Sequence, residues 1–227
     1  VEPMDHRFIG ILLHDILNSF FQETTTRFRF FTEEKLPQYH EILDAIIHER
    51  FARLAFAPEA PAHTSRVHLL DLYGQLLHQI IEAECESFEN TRSIGFEVSL
   101  SRPYPAEGYQ LEGRIDRILS HGMDSANTEG LGIVDYKKSY HESKKSYDQP
   151  RTGNPSMQLP LYARLLLDQD GGRSVKVETG SFYNIAKGSY QHIWKAGEEA
   201  RLAELLLVLE EKLATMVRGL ESGDIRA

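Results

Sequence analysis

The sequence predicts an α/β (α+β) fold: a central mixed β-sheet flanked by helices, with a helical region at the N-terminal side. Three observations predict it. Apolar residues recur with helical period as far as about residue 88. From Ile94 onward the period changes to two, over three successive segments. A polar stretch, a short apolar helix, a hairpin pattern and a last amphipathic helix then follow.

The first helix is predicted over Phe8–Gln22, with Ile9, Leu12, Leu13, Ile16, Leu17 and Phe20 on one side and Thr24–Thr26 interrupting it. Pro37–Phe56 reads as the second, with Leu43, Ile46, Ile47 and Leu54 as its apolar face. Pro58–Pro61 marks a loop. His63–Phe88 is a longer helix, carrying Val67, Leu70, Leu76, Leu77, Ile80 and Ile81. Ile94–Leu100 alternates as a strand, and Pro103, Pro105 and Gly108 turn the chain into a second strand, Tyr109–Leu119. A polar loop, Gly122–Gly130, leads to a third, Leu131–Ser139. Tyr140–Pro155 is expected as a long polar loop, basic in its first half. Ser156 caps a helix to about Asp168, with Pro160 in its first turn, where a missing donor costs little, and Asp170-Gly171-Gly172 stops it. Val175–Asn184 and Ser189–Lys195 form a hairpin about Lys187-Gly188, and Gly197–Leu220 is the last helix.

With 227 residues, 41% hydrophobic and 26% charged, the chain is long enough to bury a substantial core. No apolar run is long enough to span a bilayer, and no signal peptide is visible. The one cysteine, Cys85, excludes a disulfide framework and a four-cysteine cluster within the chain and points to the cytoplasm. Val1 is no initiator, so residues 1–227 are expected to be one domain cut from a longer protein. The net charge of −9 disfavours a simple electrostatic binder of nucleic acid. A carboxylate site that gains positive charge from a metal remains compatible with it.

The chemistry is concentrated in three segments. In Ile133-Val134-Asp135-Tyr136-Lys137, strand alternation turns Asp135 and Lys137 to one face, their Cα atoms roughly 7 Å apart. A carboxylate there holds a hard divalent cation, and a lysine sits beside the polarised water or the phosphate under attack. Gly113-Arg114-Ile115-Asp116 places a second carboxylate on the preceding strand, and if the strands are antiparallel neighbours the two aspartates converge. Two carboxylates and water fit Mg²⁺ or Mn²⁺. Gln158 and Tyr162, four apart, share one face of the following helix.

In this order the segments resemble the RecB-like family of PD-(D/E)XK nucleases, to which the nuclease domains of AddA- and AddB-type helicase–nucleases belong. The family pattern is a helical histidine, a G-x-x-D strand, a D-x-K strand and a Q-x-x-x-Y helix. Here these are His14 (in Gly10-Ile11-Leu12-Leu13-His14), Gly113–Asp116, Asp135–Lys137 and Gln158–Tyr162. The likeness covers about residues 8–168, and the AddB-type four-cysteine iron–sulfur staple is absent. It implies a restriction-endonuclease-like fold, with residues 37–90 as a helical insertion. It implies metal ligation by His14, Asp116 and Asp135, with the Tyr136 carbonyl as an extra ligand. Lys137 would act on the attacking water, and Gln158 and Tyr162 would brace the site. The activity implied is a Mg²⁺- or Mn²⁺-dependent DNA exonuclease on single-stranded ends, serving repair or recombination beside a helicase domain or subunit.

The plainer readings stand beside these. Asp116 between Arg114 and Arg117 suits a strand ion pair, His14 a core histidine, and Tyr162 a core aromatic. Glu97 is an extra acidic group or an exposed strand residue. The lysines from Lys137 to Lys145 suit either a solvated loop or phosphate contact. Arg27 and Arg29, among Phe28, Phe30 and Phe31, suit stacking on single-stranded bases or packing at a core edge. As a whole, the alternative function is a catalytically weak nucleic-acid-binding or scaffolding module.

Overall fold

The structure, a computed structural model, describes residues 6–54, 63–88, 91–105, 108–123, 129–137, 144–153, 155–167 and 175–223. The elements are α1 (His6–Arg27), α2 (Leu36–Leu54), α3 (His63–Ser87), β1 (Arg92–Pro103), β2 (Gln110–Met123), β3 (Glu129–Lys137), α4 (Lys144–Asp148), α5 (Gln158–Leu167), β4 (Val175–Asn184), β5 (Ser189–Trp194) and α6 (Glu199–Ser222). The central mixed sheet flanked by helices is the architecture observed. Its five strands lie in the order β1-β2-β3-β4-β5.

The chain divides into two compact units: Val1–Phe96 with Tyr136–Tyr140 and Tyr183–Tyr190, and Glu97–Asp135 with His141–Phe182 and Gln191–Ala227. In the first, α2 packs on both α1 and α3. Leu13, Ile16, Leu17 and Phe20 of α1 are buried, as are Leu43 and Ile47 of α2 and Leu77, Ile80 and Ile81 of α3. These are the stripes that helical periodicity picks out. The α1 helix runs through Thr24–Thr26 instead of stopping there. The threonine hydroxyls explain why: Thr24 Oγ1 donates to the Phe20 and Phe21 carbonyls (3.0 and 3.2 Å) and Thr26 Oγ1 to that of Gln22 (2.9 Å). Bonded back to the preceding turn, these side chains do not compete with the helical backbone.

In the second unit, α5 packs on β2 and α6. Strands β2 and β3 are antiparallel, with Arg117 opposite Val134 and Ile118 opposite Ile133. Every residue from Leu131 to Tyr136 is buried, so β3 is continuously buried and not alternating, as expected of a strand covered on both faces. The expected loop before α5 contains the short helix α4, anchored by the buried Tyr147, whose ring lies 6.4 Å from that of Phe182. The β4–β5 hairpin turns through Ile185–Lys187 into Gly188, whose φ of 60° is the left-handed conformation that favours glycine. The Pro58–Pro61 loop, most of the Gly122–Gly130 loop, residues 138–143 of the basic run and the Asp170–Gly172 stop lie outside the described residues.

Candidate metal centre

Asp135 is 1% exposed, although a carboxylate resists burial unless it is hydrogen-bonded and charge-compensated. Part of the compensation comes from α5. Gln158, its first residue, donates from Nε2 to Asp135 Oδ1 (2.8 Å) and to the Tyr162 hydroxyl (2.7 Å). The helix begins there because the Ser156 hydroxyl accepts from the Gln158 backbone amide (3.4 Å), the capping role read from sequence. Gly113 lets α5 come this close. A Cβ at that position would sit 2.9 Å from Tyr162 Cε1 and 3.0 Å from Leu165 Cδ1. The glycine of the G-x-x-D segment is therefore a packing requirement of the helix that holds Gln158 and Tyr162.

Asp116 and Asp135 are the residues next in line beyond the Arg117–Val134 pair of the β2–β3 ladder. Tyr162 registers how much negative charge gathers around them. Its hydroxyl pKa is raised first by burial and then by Asp135, Asp116 and Glu97, against the lowering effect of its Gln158 hydrogen bond. Tyr162 is a buried aromatic whose hydroxyl is engaged by Gln158.

Glu97, which sequence leaves ambiguous, belongs to this group. Its carboxylate oxygen lies within 4.8 Å of one of Asp116's. Its backbone is the one non-glycine position of positive φ (50°) among the described residues. A glutamate held there is strained by about 1–3 kcal/mol and persists only where its surroundings impose it. Arg114 does so in part, pairing through Nε with Glu97 Oε2 at 2.5 Å. Arg114 therefore serves Glu97, and Arg117 is fully buried in β2.

In the first unit, His14 Nε2 lies 3.3 Å from the carbonyl oxygen of Tyr136. The two rings meet edge to face, with centroids 5.9 Å apart. The Tyr136 side chain is core, among Phe21 and Tyr183, which leaves its carbonyl as the polar group offered to His14. Lys137, half-buried, follows on β3 two residues after Asp135 and so on the same strand face. The Arg27–Phe31 run lies about 20 Å along α1 from His14 by helical rise and takes no part in this group.

Within the second unit, Glu97 and Asp116 bring two carboxylates together, donors that suit a hard divalent metal. The surrounding carboxylate charge would be offset by a cation. The site's chemistry therefore fits the ion that the sequence leads one to expect. What sequence does not reveal is the conformation of Glu97 and its ion pair, because both depend on the backbone of β1.

Two comparisons bear on this arrangement. The family model of the PD-(D/E)XK nuclease superfamily matches residues 1–227. An ATP-dependent helicase/deoxyribonuclease subunit of Lactococcus lactis subsp. cremoris (strain SK11) is 23% identical over 233 residues, which cover 96% of this chain and 19% of that protein. The chain thus spans about a fifth of the length of that relative.

Proposed function

The chain belongs to the PD-(D/E)XK nuclease superfamily, and from that premise we propose that it is a Mg²⁺- or Mn²⁺-dependent deoxyribonuclease of the RecB-like branch. We read it as an exonuclease on single-stranded DNA ends, the nuclease domain of a longer helicase–nuclease in DNA repair and recombination. The observation that carries this reading is the buried Asp135, held by Gln158, whose amide also engages Tyr162, in a group that includes Asp116 and Glu97.

In this proposal Asp116 and Asp135 ligate the ion together with His14 and the Tyr136 carbonyl, and Glu97 is a further acidic ligand. A bound divalent ion supplies Lewis-acid polarisation and lowers the pKa of water. Lys137 orients the attacking water and donates to the charge that develops on the phosphate oxygens. The water oxygen bonds to phosphorus as the water gives up a proton to solvent, the bond to the leaving oxygen breaks with its electron pair on that oxygen, and the leaving oxygen takes up a proton from solvent. Gln158 holds the orientation of Asp135, and Tyr162 holds Gln158.

End-labelled single- and double-stranded DNA incubated with Mg²⁺, Mn²⁺ or EDTA tests the proposal, with Asp135→Ala and Lys137→Ala alongside. Cleavage is expected with metal only, reduced by about 10³-fold or more in both variants, with mononucleotides or short products released from an end. Cleavage that persists in EDTA, or in both variants, would overturn the assignment. Internal nicking of a closed circle would overturn the exonuclease part alone.

A further inference from the structure

The loop that follows α1 carries Phe28, Arg29, Phe30 and Phe31, and the structure separates their roles. Phe31 is buried and stacks on Tyr39 (centroids 4.1 Å apart, planes 11° apart). Phe28 is half-buried, edge-on to Tyr39 at 5.3 Å. Phe30 is turned outward, 40% exposed, with the Arg29 guanidinium 5.2 Å from its ring centroid.

The loop is tied down at both sides. The Phe31 amide donates to the Thr91 carbonyl (3.0 Å), and the Thr32 amide donates to the Tyr39 hydroxyl (3.1 Å). An exposed aromatic on an anchored backbone loses little entropy when something stacks on it. Beside it is a small hollow whose lining includes Thr24, Thr25, Arg29, Arg92, Ser93 and, as its one acid, the buried Glu84, whose carboxylate accepts from Tyr190. Arg29 and Arg92 are both exposed at its rim.

We propose that Phe30, with Arg29 and Arg92, is a stacking platform for single-stranded DNA, separate from the metal centre. An exposed π-face takes any base, guanidinium groups take backbone phosphate, and hydroxyls line the space between. In a chain of net charge −9, a local pair of arginines beside an exposed ring gives a polyanion a cationic foothold. A duplex, whose bases are already stacked, offers the ring nothing. The platform lies near the C-terminal end of α1, about 20 Å by helical rise from His14 on the same helix. A strand that engages both must therefore be several nucleotides long. The direction of the strand toward the metal centre rests on the nuclease reading; the platform itself does not.

The test is fluorescence anisotropy of labelled oligothymidylate in EDTA, where cleavage is silent, using the intact protein with Phe30→Ala, Arg29→Ala and Arg92→Ala. Affinity is expected to fall roughly 10- to 100-fold for Phe30→Ala. Each arginine variant is expected to lower the slope of log affinity against log salt by about 0.7. Phe30→Leu, which keeps an apolar side chain without the π-face, should weaken binding nearly as much as Phe30→Ala while leaving the urea midpoint unchanged. Unchanged affinity in Phe30→Ala and Arg29→Ala, or equal affinity for a duplex, would overturn the platform. Cleavage measured separately on the same variants keeps that failure distinct from failure of the nuclease reading.

Discussion

Two carboxylates in this protein are equally buried and have opposite meanings. Asp135, at the end of β3, and Glu84, near the end of α3, are each 1% exposed. Each accepts a hydrogen bond from a neutral donor, Asp135 from the Gln158 amide and Glu84 from the Tyr190 hydroxyl. What differs is the company. Around Asp135 the protein adds Asp116 and Glu97, and the Tyr162 hydroxyl is pushed upward first by burial and then by these three carboxylates. Around Glu84 it places aromatic hydroxyl groups: the Tyr183 and Tyr190 rings lie 4.6 Å apart, and the Tyr183 pKa is raised by burial first and by Glu84 second. Among the described residues, the one His/Cys/Asp/Glu set able to hold a metal includes Asp116 and Glu97, not Glu84. Burial of an acid does not by itself mark a metal site; the gathering of several acids within reach of one another does.

The largest effect expected from this contrast is a crossed pair of phenotypes. Asp135→Ala should cost about 10³-fold or more in cleavage and little in folding, because it relieves repulsion among the carboxylates. Glu84→Ala should leave kcat unchanged. It removes the carboxylate that accepts from the Tyr190 hydroxyl, so it should cost roughly 1–3 kcal/mol of stability. Urea denaturation in EDTA and steady-state cleavage, run on both variants, read the two axes. If Glu84→Ala lost activity at full occupancy of the folded state, the division between the two carboxylates would collapse.

A second expectation sharpens the same contrast through the ion. A ligand that binds only the folded state stabilises it by about 2.7 kcal/mol at a hundredfold excess over its Kd. For a chain of this size that is a rise in Tm of roughly 5–10 °C. Mn²⁺ should produce such a rise in the parent and in Glu84→Gln, and only a small one in Asp116→Ala. Equal shifts in all three would place the ion somewhere other than at Asp116.

Much of this contrast is visible in the sequence, and the part that is not has physical causes. Asp116, Asp135, Lys137, Gln158 and Tyr162 stand out because polar residues at fixed spacing interrupt apolar periodicity. The helices and the hairpin stand out because their stripes and turn residues are local. Glu97 is ambiguous in sequence because an exposed strand glutamate and one held at φ 50° by Arg114 look alike as letters. Glu84 lies in a helical pattern where glutamate is ordinary, and its burial depends on Tyr190, more than a hundred residues away. The run-on of α1 through Thr24–Thr26 turns on where hydroxyl protons point, and α4 is held by the long-range contact of Tyr147. Short-range pattern identifies donors and acceptors; which of them face a shared charge is decided by the fold.

The smallest effect concerns a half-buried group of the opposite sign, His121. It lies beside Thr179 (Nε2 to Oγ1, 3.3 Å). Its pKa is lowered, chiefly by burial, with Glu178 opposing. The folded state therefore binds this proton less readily than the unfolded chain does. The stability that goes with the neutral ring is fully present above the ordinary histidine value of about 6.5 and is lost as pH falls through the lowered folded value. His40 acts in the same sense, lowered by burial and then by His78, while Glu82 and Asp44 oppose. In EDTA, so that metal release at the carboxylates contributes nothing, the urea midpoint should decline from pH 7 toward pH 5. His121→Gln keeps a polar side chain beside Thr179 without the titration and should flatten that decline in part, with His40 supplying the remainder. A decline of undiminished slope in His121→Gln would mean that the acid sensitivity comes from other groups and that burying a neutral imidazole beside Thr179 carries no titration cost.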